Sequence, residues 1–183
     1  MASGAPVDVL DDRSFCERHA DRPLELAIWN KRRDCVAVLL EAGADPNLPC
    51  DLDPRISLLG LATLDADVEM VRLMLARGVN PNDRPPNGHS ALGISIETSQ
   101  KEKTRLLLEA GADPRLDDGY ELPIIHRAVM YGYPQQVLML LEHGVDVNRC
   151  DARGRTALDL CGESDSVRVM LMRAGARPGI GRR

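Results

Sequence analysis

The stretch Leu106 to Pro114, LLLEAGADP, is written more than once in this chain of 183 residues. Val38 to Pro46 reads VLLEAGADP, and looser copies stand at Met74 to Pro81 (MLARGVNP), Leu140 to Val147 (LLEHGVDV) and Leu171 to Pro178 (LMRAGARP). Their glycines, Gly43, Gly78, Gly111, Gly144 and Gly175, follow one another at 35, 33, 33 and 31 residues. A period of this length argues against one globular core: each unit is a supersecondary element that buries its apolar face on its neighbours. The glycine has a local cause. A helix ending in Leu-Leu-Glu-Ala needs a left-handed residue just past its end, and glycine takes that conformation without a Cβ clash. Each of the five therefore marks a helix stop. The Asp that follows in most copies suits a turn in which a short polar side chain bonds nearby backbone.

The first unit, PLELAIWNKRRDCVAVLLEAGADPN, runs to Asn47 from about Arg22. It resembles the ankyrin consensus TPLHxAAxxGHxxVVxLLLxxGADxN, with Pro23-Leu24 for PL, Ala27 for an alanine of the first helix and Leu39-Leu40 in the second. The resemblance covers roughly residues 22 to 178 in five units, about 22–54, 55–87, 88–120, 121–153 and 154–178. It implies an all-α fold with short β-hairpin loops, in which helix-turn-helix-hairpin units stack into a curved solenoid. Residues 1–21 form a leader, either a capping helix that covers the first core face with Phe15 or a frayed tail, and residues 179–183 a basic tail.

The departures from the consensus carry expectations of their own. In the first unit Arg22 replaces Thr, Glu25 replaces His and Lys31-Arg32 replaces Gly-His, which suggests a solvent-facing cap. The linker Leu48 to Ile56, with Pro49, Asp51, Asp53 and Pro54, is longer than its counterparts. Gly60 sits where the family has His and should weaken the helix start after Ser57-Leu58-Leu59. Asp65, Asp67 and Glu69 form an acidic group whose position favours helix-dipole chemistry over catalysis. Pro85-Pro86-Asn87-Gly88 is a turn, and Lys101 to Ala110 a second helix, polar and then apolar. The fourth unit keeps the family's His and Gly as His126 and Gly132, and Pro134 suits the first position of its second helix. By resemblance His126 bonds backbone groups across repeats and is structural. The fifth unit opens with Asp151-Ala-Arg-Gly154-Arg-Thr156-Ala-Leu158 and then shortens around Gly162 to Asp165, as a C-terminal cap would.

Composition narrows the function classes. The apolar fraction of 44% comes mostly from aliphatic residues, and Phe15, Trp29, Tyr120, Tyr131 and Tyr133 are the only aromatics. A net charge of −5 argues against binding a phosphate backbone. Cys16, Cys35, Cys50, Cys150 and Cys161 are odd in number and form no CxxC pair, which suggests neither a disulfide framework nor a metal site and fits a reducing, cytoplasmic compartment. The start, MASGAPVDVLDD, has no basic region and no apolar run, and no segment reaches transmembrane length.

By resemblance, ankyrin proteins bind partners with the hairpin fingertips and the first helices on the concave face. The family's variable positions fall here on Trp29, Asn30, Leu64, Asp65, Asn87, His89, Glu97 and Thr98. They continue with Tyr120, Leu122, Met130, Tyr131, His143, Ala152, Arg153 and Arg155. Three of the five aromatics lie in that set, and Trp, Tyr and Arg are enriched in binding hot spots. The alternative for Tyr131 and Tyr133 is that they fill space between helices. The expected function is a non-catalytic protein-binding module, monomeric in itself, with no cofactor, no metal, no membrane and no nucleic acid. An inhibitor or immunity-type protein that blocks one enzyme is the narrower alternative. An enzyme is disfavoured because no phosphate loop, nucleophile elbow or metal-spaced cluster is present, and His19, His89, His126 and His143 lie in separate units. Arg149, Arg153 and Arg155 could meet a nucleic acid, but Asp51, Asp53, Asp83, Asp117, Asp118 and Asp151 share the fingertips with them.

Overall fold

The computed structural model describes residues 23–48, 50–86, 88–116, 119–162 and 166–179. Among these residues the regular structure is nine α-helices and one 3-10 turn, with no strand and one isolated bridge between Ile56 and His89. The loops expected as hairpins are held by turns rather than ladders. The leader, Asn87 and residues 180–183 lie outside the described residues. The chain divides into two compact units, Met1–Ala91 and Leu92–Arg183.

The first unit contains α1 (Pro23–Trp29), α2 (Arg33–Glu41), α3 (Leu58–Asp65) and α4 (Val68–Ala76). Helices this short are marginal in isolation and persist by packing. α1 packs on α2 and α3, and α4 on both α2 and α3. Leu24, Ile28, Val36, Leu58, Leu59, Leu61, Met70 and Met74 form their core. Asp67 Oδ1 accepts the Met70 N–H at 2.8 Å and caps α4, and Glu69 stands in its first turn, whereas Asp65 ends α3 and does no helix-start chemistry. Gly60, expected to weaken the start of α3, donates its N–H to Ser57 Oγ at 3.1 Å, and that start is capped.

Glu25 corrects the reading of the first unit. It is fully buried, not solvent-facing. Its carboxylate accepts the Leu52 N–H at 2.7 Å, the Asp51 N–H at 3.1 Å and the Cys50 thiol at 3.1 Å. The long linker folds over the end of α1 and turns its donors inward, so the acid ties one loop to the preceding helix. Burial, with the nearby Glu25 carboxylate, pushes the Cys50 thiol up to about 12. Lys31 and Arg32 are exposed as expected, and Lys31 takes a left-handed φ of 57°.

The second unit contains α5 (Ala91–Glu97, beginning at the boundary), α6 (Lys101–Glu109), α7 (Ile124–Met130), α8 (Pro134–Glu142), the 3-10 turn Ala157–Leu160 and α9 (Ser166–Arg173). α8 packs on α6, α7 and α9, and the 3-10 turn on α7 and α9. Pro134 is at the start of α8, where its missing N–H costs nothing. Ser95 and Thr104 stand where the first, second and fourth repeats have Ala and Val, and both are buried. Their hydroxyls meet at 2.9 Å, and the buried Gln136 donates to Thr104 Oγ1 at 2.9 Å and to the Ser95 carbonyl at 3.2 Å. The network is internally satisfied, which is the condition for a buried polar group to be tolerated. In the shortened last unit the first helix contracts to the 3-10 turn, whose Asp159 accepts the Thr156 and Gly179 N–H groups, both at 2.8 Å. Burial alone would raise the Asp159 carboxyl, but these bonds outweigh it and hold it below the usual range.

The repeated glycine adopts the same conformation in all five places, with φ from 75° to 92°. The turn that follows is also shared. Asp45, Asn80, Asp113 and Asp146 each accept the N–H two residues on, at 2.9 to 3.0 Å. Arg177 replaces the Asp of the last copy, and there Asn148 Oδ1 accepts the Arg177 N–H at 2.8 Å from outside.

Candidate protein-interaction surface

Arg127 organises the most developed surface of the second unit. It lies on α7 beside His126, in a place that Leu26, Leu61, Ile94 and Leu160 occupy in the other units. Its side chain is 4% exposed. A buried guanidinium persists only with compensating charge and contacts. Arg127 Nη1 donates to Glu97 Oε2 at 3.3 Å, and the guanidinium carbon lies 3.8 Å from the Tyr120 ring centroid. Glu97, at the end of α5, uses its other oxygen to accept the Tyr131 hydroxyl at 2.9 Å. Tyr131, just past α7, leans on Tyr133 with ring centroids 5.6 Å apart at 45°. The Glu97 hydrogen bond, and burial after it, push the Tyr131 phenol above the ordinary tyrosine range.

The result is a chain of contacts from a buried cation to an exposed aromatic. Tyr131 is 42% exposed and its neighbour Met130 54% exposed, yet Tyr131 is fixed at its hydroxyl end. Tyr120 is half-buried against Arg127 and contributes support more than accessible area. Of the residues expected from the sequence, the structure thus joins Glu97, Tyr120 and Tyr131 and places Met130 beside them. Arg127 was missed, although an arginine in a column of aliphatic residues is a visible signal.

The other expected residues are placed as follows. Trp29, 50% exposed, and Asn30 end α1 in the first unit, where Asn30 Nδ2 donates to the Leu26 carbonyl at 2.9 Å. Leu64 and Asp65 are exposed at the end of α3. His89 is half-buried and its N–H donates to the Arg55 carbonyl at 2.6 Å. Leu122 is half-buried ahead of α7, and Thr98 donates its hydroxyl to the Ile94 carbonyl at 2.8 Å. His143 is exposed at the end of α8, a second helix, and its Nδ1 is 2.8 Å from the Met139 carbonyl. Ala152 and Arg153 are exposed on the last fingertip. Arg155 is committed within the chain: the buried Asp151 accepts its N–H and Nε at 2.9 Å and pairs with its Nη2 at 2.8 Å. Burial would raise the Asp151 carboxyl, but the Arg155 and Arg153 donors outweigh it and hold it below the carboxylate range.

His126 is fully buried and its Nε2 lies 2.8 Å from the Arg155 carbonyl, the crossing bond that the resemblance implied. Among the described residues no group of three or more His, Cys, Asp or Glu side chains could hold a metal ion, and no helix is long and apolar enough to cross a membrane.

Comparison with known proteins agrees with this architecture. A family model described as ankyrin repeats (many copies) matches residues 105–161, and one described as ankyrin repeat matches residues 21–51. SH3 and multiple ankyrin repeat domains protein 2 of Homo sapiens is 25% identical over 91% of this chain and 11% of its own length. Ankyrin repeat and SOCS box protein 11 of Danio rerio is 33% identical over 57% of this chain and 35% of its own. The nuclear factor NF-kappa-B p105 subunit of Gallus gallus is 31% identical over 81% of this chain and 16% of its own. The chain therefore spans between about a tenth and about a third of the length of these relatives. Ankyrin repeats are protein-interaction modules. With the repeated glycine stop, the shared turn and these matches, the chain belongs to the ankyrin repeat family.

Proposed function

We propose that the chain binds a partner protein without catalysing a reaction, and that Met130 and Tyr131 of the second unit are its main point of contact. The observation that carries this reading is the fixed but exposed Tyr131. An aromatic anchor held in place before binding loses less freedom on association, and so retains more of its contact energy. Glu97 holds the hydroxyl, the buried Arg127 holds Glu97, and Tyr120 covers Arg127. In the first unit the exposed Trp29 and Leu64, at matching ends of the packed helices α1 and α3, offer a second apolar contribution.

The test is affinity capture by the wild type and by a Met130→Ala, Tyr131→Ala double variant with an unchanged circular dichroism spectrum. Tyr120 is left intact, because its loss would disturb Arg127. A partner held by the wild type should be weakened about thirtyfold in the variant, the effect of losing an anchor worth about 2 kcal/mol. Equal retention would place binding elsewhere and remove this reading.

A further inference from the structure

The first unit carries a pocket unrelated to the Tyr131 cluster. It encloses about 440 Å³ among Leu48 of the turn after α2, Pro54 of the linker and Asp83, Arg84, Pro85 and Pro86 of the loop after α4. A cavity of that size is in the range of sites that take small ligands or single side chains. Its walls are mainly apolar rings and a leucine, and its acid is unusual for the repeat. The place held by Asp83 is Leu48, Leu116 and Arg149 in the neighbouring copies.

Among the described residues none donates to the Asp83 carboxylate. The adjacent Arg84 directs Nη1 to the Gly88 carbonyl at 3.1 Å. Burial, and after it repulsion from the Asp45 carboxylate, raise the Asp83 carboxyl above its ordinary range. Asp45 itself has only the Asn47 N–H on Oδ1, at 2.9 Å. Among the described residues neither carboxylate has an ion-pair partner, Arg84 lines the pocket but turns Nη1 to the Gly88 carbonyl, and Asp83 is half out of water, which leaves a local potential that a further positive group would relieve.

We propose that this pocket receives a lysine or arginine side chain of a protein partner, with its aliphatic stem between Pro54, Pro85, Pro86 and Leu48 and its cationic head on Asp83. Long basic side chains suit the site because their stems are apolar and their heads are charged. The carboxylate supplies a charge-assisted hydrogen bond, and the proline rings exclude water around it. The site is independent of the Tyr131 surface, so either can fail without the other.

The experiment titrates the intact isotope-labelled protein with Nα-acetyl-lysine methylamide, Nα-acetyl-arginine methylamide and the neutral Nα-acetyl-norleucine methylamide, followed by nuclear magnetic resonance. The two cations should shift Asp83, Leu48 and Ser57 and leave Tyr131 unmoved. Norleucine, and the cations with Asp83→Asn protein, should bind about tenfold more weakly or worse, the loss of one hydrogen bond to a charged group. Asp45→Asn should weaken the cations by a smaller factor, and decides the matter if Asp83→Asn does not fold. Equal binding of norleucine, undiminished binding by both variants, or an unmoved Asp83 would overturn the proposal.

Discussion

Replacing Glu25 by Ala tests whether a buried acid, rather than apolar packing alone, ties the long linker to α1. Three donors converge on its carboxylate: the Leu52 N–H at 2.7 Å, the Asp51 N–H at 3.1 Å and the Cys50 thiol at 3.1 Å. Truncation removes the acceptor and leaves the donors behind. A buried amide without a partner costs about 1–3 kcal/mol, so two set an upper bound of about 2–6 kcal/mol for these part-buried amides, and the thiol, a weak donor, adds little. Two effects offset part of that. Water can enter the vacated space, and the protein no longer bears the desolvation of a carboxylate. The net loss should be about 2–4 kcal/mol, read from urea unfolding followed by circular dichroism. Hydrogen exchange localises it, since the Asp51 and Leu52 amides should lose protection. Glu25→Gln separates shape from chemistry: it nearly preserves volume but faces an amide NH₂ toward N–H donors, so it should lose about 1–3 kcal/mol. Glu25→His should fail as well, although histidine is the family residue, because the linker offers N–H groups where His126 meets a carbonyl. If Glu25→Ala unfolds within about 0.5 kcal/mol of the wild type, the value of an unremarkable surface change, the carboxylate does not hold the linker.

Four further outcomes follow from single positions. Gly88→Ala should cost about 1–3 kcal/mol in urea unfolding, because a Cβ there would strike the Arg55 carbonyl, which already accepts the His89 N–H; an unchanged midpoint would show that the loop gives way. Lys31→Gly should stabilise by up to about 1 kcal/mol, since Lys31 holds a left-handed φ of 57° that glycine adopts freely, and a destabilised variant would show that its side chain matters more than its backbone. Cys50 titrates from 9.0 to about 12 on folding, so above pH 9 the unfolded chain releases a proton that the folded chain keeps. Stability from this group is therefore complete below pH 9 and lost as pH rises toward 12, most simply seen as a fall in melting temperature that Cys50→Ala lacks. At about pH 8 a thiol reagent should modify the exposed Cys35 and Cys150 and spare Cys50, and equal rates would contradict its burial.

The local features of the repeat were legible because their causes are local. A glycine past a helix end, an Asp two residues before a bonded N–H and a proline opening α8 each depend on a few neighbouring residues, and all three appear as read. Glu25 was misread because its burial depends on Cys50 to Leu52, some twenty-five residues on, folding back across α1. The contraction of the last unit's first helix to a 3-10 turn had a visible cause, the shortened stretch around Gly162, but not a visible form. At the candidate surface, Tyr131, Tyr120 and Glu97 were found one by one from the family's variable positions. Their connection was not, because it runs through Arg127, whose place in the repeat is normally apolar. Arg155 was counted for a partner by residue type, whereas Asp151, four residues before it, takes the guanidinium within the chain.

The residue before Arg127 shows how one repeated place can be kept in use while its chemistry changes. Glu25, His126 and Asp159 occupy equivalent positions, and each joins its helix to a later segment through that segment's backbone. Glu25 meets the N–H groups of Asp51 and Leu52, His126 meets the carbonyl of Arg155, and Asp159 meets the N–H of Gly179. A carboxylate only accepts, and an imidazole can donate, so each connector has to match the polarity of the loop it meets. It follows that the connector and its loop form one unit of exchange. Moving Glu25 alone into the place of His126 would set an acceptor against the Arg155 carbonyl, a like-with-like contact in a buried site, whereas moving it with the residues 50–52 would preserve the match.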